Sequence, residues 1–401
     1  MSVLSGKKVL LGITAGIAAY KTASLVRLFI KRGAEVQVIM TPASKDFITP
    51  LTLSTLSKNP VHSTFYDKEA ENELWNNHVD LGLWADIMVI APATANTLSK
   101  MTNGVCDNLL LATYLSSKCP VYFAPAMDLD MYIHPSTKNN LDQLQHFGNV
   151  MIPATSGELA SGLVGEGRLA EPEDILSFIE KDLLNKLPLK GKKVLLTAGP
   201  TYEAIDPVRF IGNHSSGKMG FALAKKAANL GAEVILITGP SAETIQHSFV
   251  KRIDVKSAEE MYAQAHLYYK YTDIAILSAA VADYRPKNVA AQKIKKKEAT
   301  IEIVLEKTKD ILASLGEIKE HQLLVGFALE TNNEAENAKG KLKKKNLDLI
   351  VLNSLQDKGA GFATDTNKIT IIDKDLSMQT FDLKSKDAVA EDIMNAIVAK
   401  L

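Results

Sequence analysis

Short apolar runs recur along this chain in a fixed order, separated by glycines and polar positions. Gly6 to Leu11 reads GKKVLL, and the same six residues return at Gly191 to Leu196. After the first copy, apolar residues at helical spacing run from Ile17 to Lys31, with Leu25, Val26, Leu28 and Phe29 on one face; Gly33 and GAEVQVIMTPAS follow. After the second copy, Met219 to Leu230 repeats the spacing before Gly231 and GAEVILITGPSA. Each half therefore predicts strand, helix, strand. The glycine after each helix predicts a left-handed C-terminal cap, and the Val/Ile/Leu-rich strands read as buried on both faces. Further strands are predicted at DIMVIAPA and PVYFAPAM, then at DIAILSAAV, LLVGFAL and LDLIVLN. The pattern predicts an α/β protein with two doubly wound, mostly parallel-sheet (Rossmann-like) domains in tandem. The Pro-containing polar link Asn185 to Leu189 sets the boundary, giving domains over 1–187 and 190–401.

The repeat also decides how the amino terminus is read. Two lysines followed by weakly polar residues resemble a signal peptide, but the same opening in mid-chain cannot be one, so it is a first strand. No run approaches the roughly 18 apolar residues that span a bilayer, which predicts a soluble, cytoplasmic protein with no membrane partner. The 401 residues carry 46 Lys+Arg against 46 Asp+Glu, a balance that argues against coating nucleic acid and leaves any polyanion to a local site. Two cysteines, Cys106 and Cys119, form neither a disulfide framework nor a zinc site.

In such sheets ligands sit at the carboxyl ends of the strands. Neither half has G-x-G-x-x-G there, so a dinucleotide is not favoured. Gly12 to Ala18, GITAGIA, instead offers small residues and the Thr14 hydroxyl to a phosphate at a helix start; a tight turn without ligand fits equally well. GNHSSGKM, Gly212 to Met219, mimics a P-loop but ends in Met where the metal-binding hydroxyl belongs, and it follows no adjacent strand. An anion site remains possible at that helix start. His78 falls on an amphipathic stretch, where a packed interfacial histidine competes with a catalytic one. Thr155 to Ile175 is glycine-rich like a lid. AAVADYRPK, QKIKKKE and KGKLKKKNLD place lysines near carboxylates, as either a solvated face or a triphosphate site.

Together these pieces resemble the bifunctional coenzyme A biosynthesis family, in which a phosphopantothenoylcysteine decarboxylase is fused to a phosphopantothenate–cysteine ligase. The resemblance covers essentially the whole chain, through GITAGIAAYK, APATANTLSKMTNGVCDNLL, GPTYEAIDPVRFIGNHSSGKMGFALA, AAVADYRPK with KIKK, and GFALET. It implies a flavodoxin-like, FMN-dependent cysteine decarboxylase fold in the first half. FMN phosphate would lie against Thr14, Ala15 and Gly16, with Thr94, Ala95 and Asn96 following the next strand, and His78 would be catalytic. The flavin would oxidise the thiol to a thioaldehyde, easing loss of CO₂. The second half would join cysteine to 4'-phosphopantothenate through an acyl-cytidylate made from CTP. There Lys293 matches the catalytic lysine, and Asn213 the residue that handles the acyl intermediate. Asp283, Phe327, Lys341 and Lys345 match nucleotide contacts, and so do Lys309, Asp310, Ile311 and Leu312, where the family's Pro is Lys309. Mg²⁺ is expected with the triphosphate, Asp283 its protein ligand, and the resemblance implies a homo-oligomer, a dodecamer of flavin-half trimers and ligase-half dimers.

Two departures stand out. The family's Pro-x-Met-Asn-x-x-Met-Trp is PAMDLDMY here, with Asp128 for the substrate-binding Asn and Tyr132 for Trp. The lid's usual Cys is Ser161, which cannot do thiol redox chemistry. An ionised Asp128 only accepts hydrogen bonds and would repel a substrate carboxylate. Three escapes are open: a protonated Asp128, a compensating cation such as Arg168, or a decarboxylase that has lost its activity. Two readings of other kinds also stand, a ligase whose flavin half is structural and a nucleotide-binding scaffold without catalysis.

Overall fold

The computed structural model describes residues 2–67, 74–295, 300–330, 332–354 and 365–401. It divides into two compact units, Met1–Asn185 and Lys186–Leu401. In the first unit a six-stranded sheet is built from β1 (Lys8–Ile13), β2 (Glu35–Met40), β3 (Val61–His62), β4 (Ile87–Ala93), β5 (Val121–Pro125) and β6 (Val150–Met151). The order is β3-β2-β1-β4-β5-β6, parallel throughout. This is the doubly wound order, and it reverses between β1 and β4. Val9, Leu11, Val89 and Tyr122 face one core layer, and Leu10, Met88, Ile90 and Phe123 the other. Burial on both faces explains why β1 and β4 read as unbroken apolar runs, each buried aliphatic side chain contributing roughly 1.5–3 kcal/mol.

The helix expected over 17–31 begins as a 3₁₀ turn, Ile17–Lys21, and continues as α1 (Thr22–Lys31). Residues Leu25, Val26 and Phe29 are buried beneath it. Gly33 ends it at φ +83°, with the Ala34 N–H bonded to the Phe29 carbonyl at 3.1 Å. Two shorter helices, α2 (His78–Trp84) and α3 (Ala95–Thr102), precede and follow β4.

The second unit repeats this construction. β7 (Lys193–Ala198), α4 (Lys218–Asn229) and β8 (Glu233–Thr238) are followed by β9 (Val250–Asp254), β10 (Ile274–Leu277), β11 (Leu323–Glu330) and β12 (Leu349–Ser354). Lys193 pairs with Glu233 as Lys8 pairs with Glu35, so both GKKVLL–GAEV repeats share one register. Gly231 takes φ +96°, and the Ala232 N–H reaches the Ala227 carbonyl at 3.1 Å, the cap that also closes α1. In each unit an aspartate accepts from the first strand's backbone: Asp86 from Lys8 N–H at 2.9 Å and Asp273 from Lys193 N–H at 2.7 Å.

The eight strands run β9-β8-β7-β10-β11-β12-β13-β14, with β13 (Thr366–Asp373) and β14 (Met378–Ser385) antiparallel. The apolar pattern did not announce β14, because it is an edge strand with most of its residues exposed. The chain closes on α5 (Lys386–Val398). Among the described residues, no helix is long and apolar enough to cross a membrane.

Candidate functional site

At the carboxyl ends of β1, β4 and β5, where the first sheet reverses, lies a cavity of about 1090 Å³. Ala15, Gly16, Thr94, Ala95, Asn96 and Asp128 line it together. Thr14 does not: its side chain is buried, its hydroxyl donates to the Pro92 carbonyl at 2.6 Å, and its oxygen accepts from Thr94 N–H at 3.2 Å. The hydroxyl expected to meet a phosphate instead ties the β1 and β4 loops together. Thr94 is the N-cap of α3, yet its side chain caps no backbone N–H, so the helix start has no side-chain cap. Gly12 is a packing glycine, since a Cβ there would come within 2.5 Å of Leu110 Cδ1.

The glycine-rich stretch forms an antiparallel ribbon, Thr155–Glu158 with Val164–Arg168. Glu158, Leu159, Ala160, Gly167 and Arg168 contribute a wall of the cavity. Gly167, at φ +131°, lies so close to the PAMD loop that a Cβ would meet the Met127 carbonyl oxygen at 2.4 Å. Ser161 sits in the ribbon's turn, exposed and off the cavity wall, accepting from Leu163 N–H at 3.4 Å. Asp128 caps the short helix Leu129–Ile133, its Oδ1 accepting from Leu129 N–H at 2.7 Å. Tyr132 is buried beside it under the Lys138 ammonium.

Arg168 does not pair with Asp128, as the compensating-cation idea required. Its guanidinium donates to Glu171 at 2.8 Å, and the buried Lys21 ammonium reaches the same Glu171 oxygen at 2.9 Å. The Lys21 hydrogen bond, aided by Arg168, holds the Glu171 carboxyl below the usual carboxylate range. His78 is also elsewhere. It opens α2 rather than sitting within it, its ring meets Phe65 edge-on, and its buried Nδ1 has no partner among the described residues. It does not line the cavity of its own chain.

A second cavity, about 350 Å³, opens at the carboxyl side of the second sheet. Asn213, Asp283 and Phe327 line it. Asn213 Nδ2 donates to the Ala280 and Val281 carbonyls, each at 3.1 Å, fixing the loop after β10. The strand before the Gly212–Met219 segment is Phe210–Gly212, one half of a small ribbon and not a sheet strand, so the segment is no P-loop. The remaining expected nucleotide contacts do not line this cavity. Lys309 pairs with Glu259 at 2.8 Å, Lys341 with Glu330 at 2.6 Å and Lys345 with Asp310 at 2.8 Å. Asp310 caps the helix Ile311–Glu317; burial raises its carboxyl, and the Lys345 and Ala313 hydrogen bonds outweigh that and hold it low. Ile311 is buried core and Leu312 packs against the same cluster.

Lys293 is exposed, and its neighbour is clamped. Buried Asp206 accepts from Ile294 N–H at 3.1 Å and from Arg209 Nε at 2.9 Å, while Arg209 Nη2 donates to the Ile294 carbonyl at 2.9 Å. The end of the lysine run, 296–299, lies outside the described residues. Sequence reasoning missed Asn353, Asn367 and Lys386, all on the cavity wall; Lys218 beside them belongs to the GNHSSGKM segment already singled out for an anion. Nothing in LKSKDAVAED distinguishes Lys386 from an ordinary first-turn lysine.

Two tandem doubly wound α/β units, each with a cavity at its sheet's carboxyl edge, define a two-domain protein of the class that binds ligands at the switch point of a parallel sheet. Family models agree: the "Flavoprotein" family matches residues 2–184, and the "DNA/pantothenate metabolism flavoprotein C-terminal domain" matches 189–401. The chain is 44% identical to the coenzyme A biosynthesis bifunctional protein CoaBC of Bacillus subtilis (strain 168), over 99% of this chain and 98% of that protein. It is 54% identical to a cysteine/cysteine sulfinic acid decarboxylase from an unidentified prokaryote, over 88% of this chain and 99% of the relative. A solved structure of the C-terminal domain of a CoaBC protein is 44% identical, covers 54% of this chain and 98% of its own, and has a TM-score of 0.46. The chain belongs to the CoaBC family of bifunctional coenzyme A biosynthesis proteins, with phosphopantothenoylcysteine synthetase and decarboxylase activities on one polypeptide. The readings of an inert flavin half and of a non-enzymatic scaffold give way to it.

Proposed function

We propose that the first cavity takes FMN and the second takes CTP, so that amide formation precedes decarboxylation. The observation that carries this is the uncapped start of α3 at the switch point of the first sheet. Ala15, Gly16, Ala95 and Asn96 would hold the flavin phosphate, and the cavity's size and mixed lining suit the rest of the nucleotide. FMN, when bound, supplies a two-electron acceptor that returns what it takes, leaving the decarboxylation redox-neutral overall. The chain's own residues do the positioning. The 155–168 ribbon covers the cavity and limits water, and the Asp128 loop holds the substrate. In the second unit Lys293 neutralises charge developing at the nucleotide phosphorus, Asn213 orders the loop that receives the acyl group, and Mg²⁺ arrives with the triphosphate near Asp283. Purified protein incubated with FMN should acquire the visible flavin band; colourless protein would refute the first assignment.

His78 and the cavity belong together if copies of the chain associate. Val79 and Leu83 on α2 are exposed, as are Ile17, Tyr20 and Met131 at the cavity side, which supports a homo-oligomer. Twelve copies of the 43.6 kDa chain would give about 520 kDa, to be read by light scattering. Mixing His78→Asn chains with Asp128→Ala chains should restore decarboxylation if His78 serves a neighbour's cavity. Mixtures as inactive as either parent would refute it.

Asp128 favours a second substrate beside the first. A carboxylate on the cavity wall suits an α-ammonium, which free cysteine has and an N-acylated cysteine lacks. We infer that the decarboxylase half also accepts free cysteine, whose thiol the flavin can oxidise, in line with the name of the 54% identical relative. Asp128→Asn should then lower turnover of free cysteine about tenfold or more while sparing phosphopantothenoylcysteine. Equal losses on both substrates would count against it.

A further inference from the structure

His78 lacks the usual support of a working histidine. Such a ring is ordinarily oriented by a hydrogen bond at the nitrogen that does not carry out the chemistry. The His78 Nδ1 is buried without a partner among the described residues, and the ring meets Phe65 at 87°, with centroids 6.1 Å apart. Its placement must therefore come from the backbone that carries it and from the packing of Phe65. Both are tied to one residue, Asn76, which is 8% exposed and lies two positions before His78. Asn76 Nδ2 donates to the Thr64 carbonyl at 2.8 Å, its backbone N–H donates to the Phe65 carbonyl at 2.8 Å, and its Oδ1 lies 2.8 Å from His62 Nδ1. A carbonyl only accepts, so the amide nitrogen must face Thr64 and the amide oxygen His62, which makes His62 the donor through Nδ1–H. His62 belongs to the edge strand β3 and pairs with Ile39 of β2. Phe65 stacks on Trp75 at 5.7 Å, beside the short ribbon of Tyr66–Asp67 with Leu74–Trp75. On the other side Asn77 accepts from Val79 N–H at 3.0 Å and caps α2. His78 is thus held between the sheet edge, through Asn76, and the helix start, through Asn77.

We propose that Asn76, locked by His62, is a positioning residue for His78 in the decarboxylation. This rests on the reading of His78 as the histidine that serves a neighbour's cavity. Asn76 acts through His78, and no bond is made or broken at it. A reacting group displaced by about 1 Å can lose roughly a hundredfold in rate, so the effect of Asn76 belongs to turnover and not to substrate affinity.

The test uses the full-length, FMN-loaded chain with phosphopantothenoylcysteine, following CO₂ release. Asn76→Ala should lower kcat about ten- to a hundredfold with KM within about threefold of wild type, while the flavin spectrum and ligase turnover stay unchanged. His62→Ala should behave alike, and His62→Asn, whose amide nitrogen can stand near the place of Nδ1, should return turnover to within a few fold of wild type. Coexpressed with Asp128→Ala chains, Asn76→Ala chains should recover decarboxylation, because the partner then delivers a placed histidine. Coexpressed with His78→Asn chains they should not, because neither chain delivers one. Asn76→Ala with kcat within twofold of wild type overturns the proposal, and so does a raised KM at unchanged kcat, recovery on pairing with His78→Asn, or His62→Asn as slow as His62→Ala. If Asn76→Ala is insoluble, the two His62 variants decide by the same criteria. His78→Asn turning over like wild type would instead overturn the reading of His78 itself. A His78→Asn and Asp128→Ala pair that stays inactive would overturn the neighbour-cavity reading, and the rates of the Asn76 and His62 variants would still decide the proposal.

Discussion

Thr14→Val replaces a buried hydroxyl by a methyl of nearly the same volume and tests whether the GITAG turn works on the ligand or on the fold. In the structure the hydroxyl donates to the Pro92 carbonyl at 2.6 Å and accepts from Thr94 N–H at 3.2 Å, with 1% of the residue exposed. Valine leaves the buried Pro92 carbonyl without this donor and the half-buried Thr94 N–H without this acceptor. Each such group costs about 1–3 kcal/mol, so the substitution should destabilise the first unit by about 3 kcal/mol. For a unit of this size that corresponds to a fall in melting temperature of roughly 6–12 °C. The assay is thermal melting of flavin-free protein, wild type against Thr14→Val and Thr14→Ser, with ligase turnover as an internal control. The Val variant should melt lower before any flavin is added, the Ser variant should stay near wild type, and pyrophosphate release should not change. Flavin-free Thr14→Val melting with wild type, combined with lost flavin affinity, would show that the hydroxyl serves the ligand and that the reasoning is wrong.

Further substitutions probe the other contacts. Lys293→Gln should lower acyl-cytidylate formation about a hundredfold, the loss of roughly 3 kcal/mol at a developing charge, and Asp206→Asn should imitate it in turnover because Asp206 holds Ile294; wild-type rates in both would reduce the lysine run to a solvated face. Asn213→Asp exchanges a donor to two carbonyls for an acceptor, so amide formation measured after pyrophosphate release should slow far more than the release itself. Glu171 has a folded pKa held below its ordinary 4.5 by Lys21, so its stabilising contribution is full above that pH and fades as the pH falls through the folded value. Acid melting curves of Glu171→Gln should accordingly be flatter below pH 4.5 than those of wild type, with a lower plateau at neutral pH from the orphaned Lys21.

The fold was legible because its signals are local and repeated. Gly33 and Gly231, Lys8 and Lys193, and Asp86 and Asp273 perform the same tasks in the two units, and a repeated apolar run cannot mean two different things. β14 escaped because an exposed edge strand has no apolar face to display. The sites were half legible for a related reason. Short motifs find backbone turns, as at Gly16 and Asn213, but which side chains a turn leaves free is settled by long-range partners. Thr14 meets Pro92 across 78 residues, Lys345 meets Asp310 across 35, and no motif encodes those pairings. Lys386 is the converse, an ordinary-looking lysine that the fold buries on the wall of the second cavity. The sequence offers Arg168 as a candidate cation for Asp128; only the geometry gives it to Glu171.

One reaction tests the central claim that both activities belong to this chain. Full-length protein loaded with FMN should be given 4'-phosphopantothenate, cysteine, CTP and Mg²⁺, and released pyrophosphate and CO₂ should be measured together. Pyrophosphate should appear first, 4'-phosphopantetheine should follow in equal amount at completion, and CO₂ should at least match it, free cysteine being a second source. Pyrophosphate without CO₂, from protein that carries its flavin, would contradict the account.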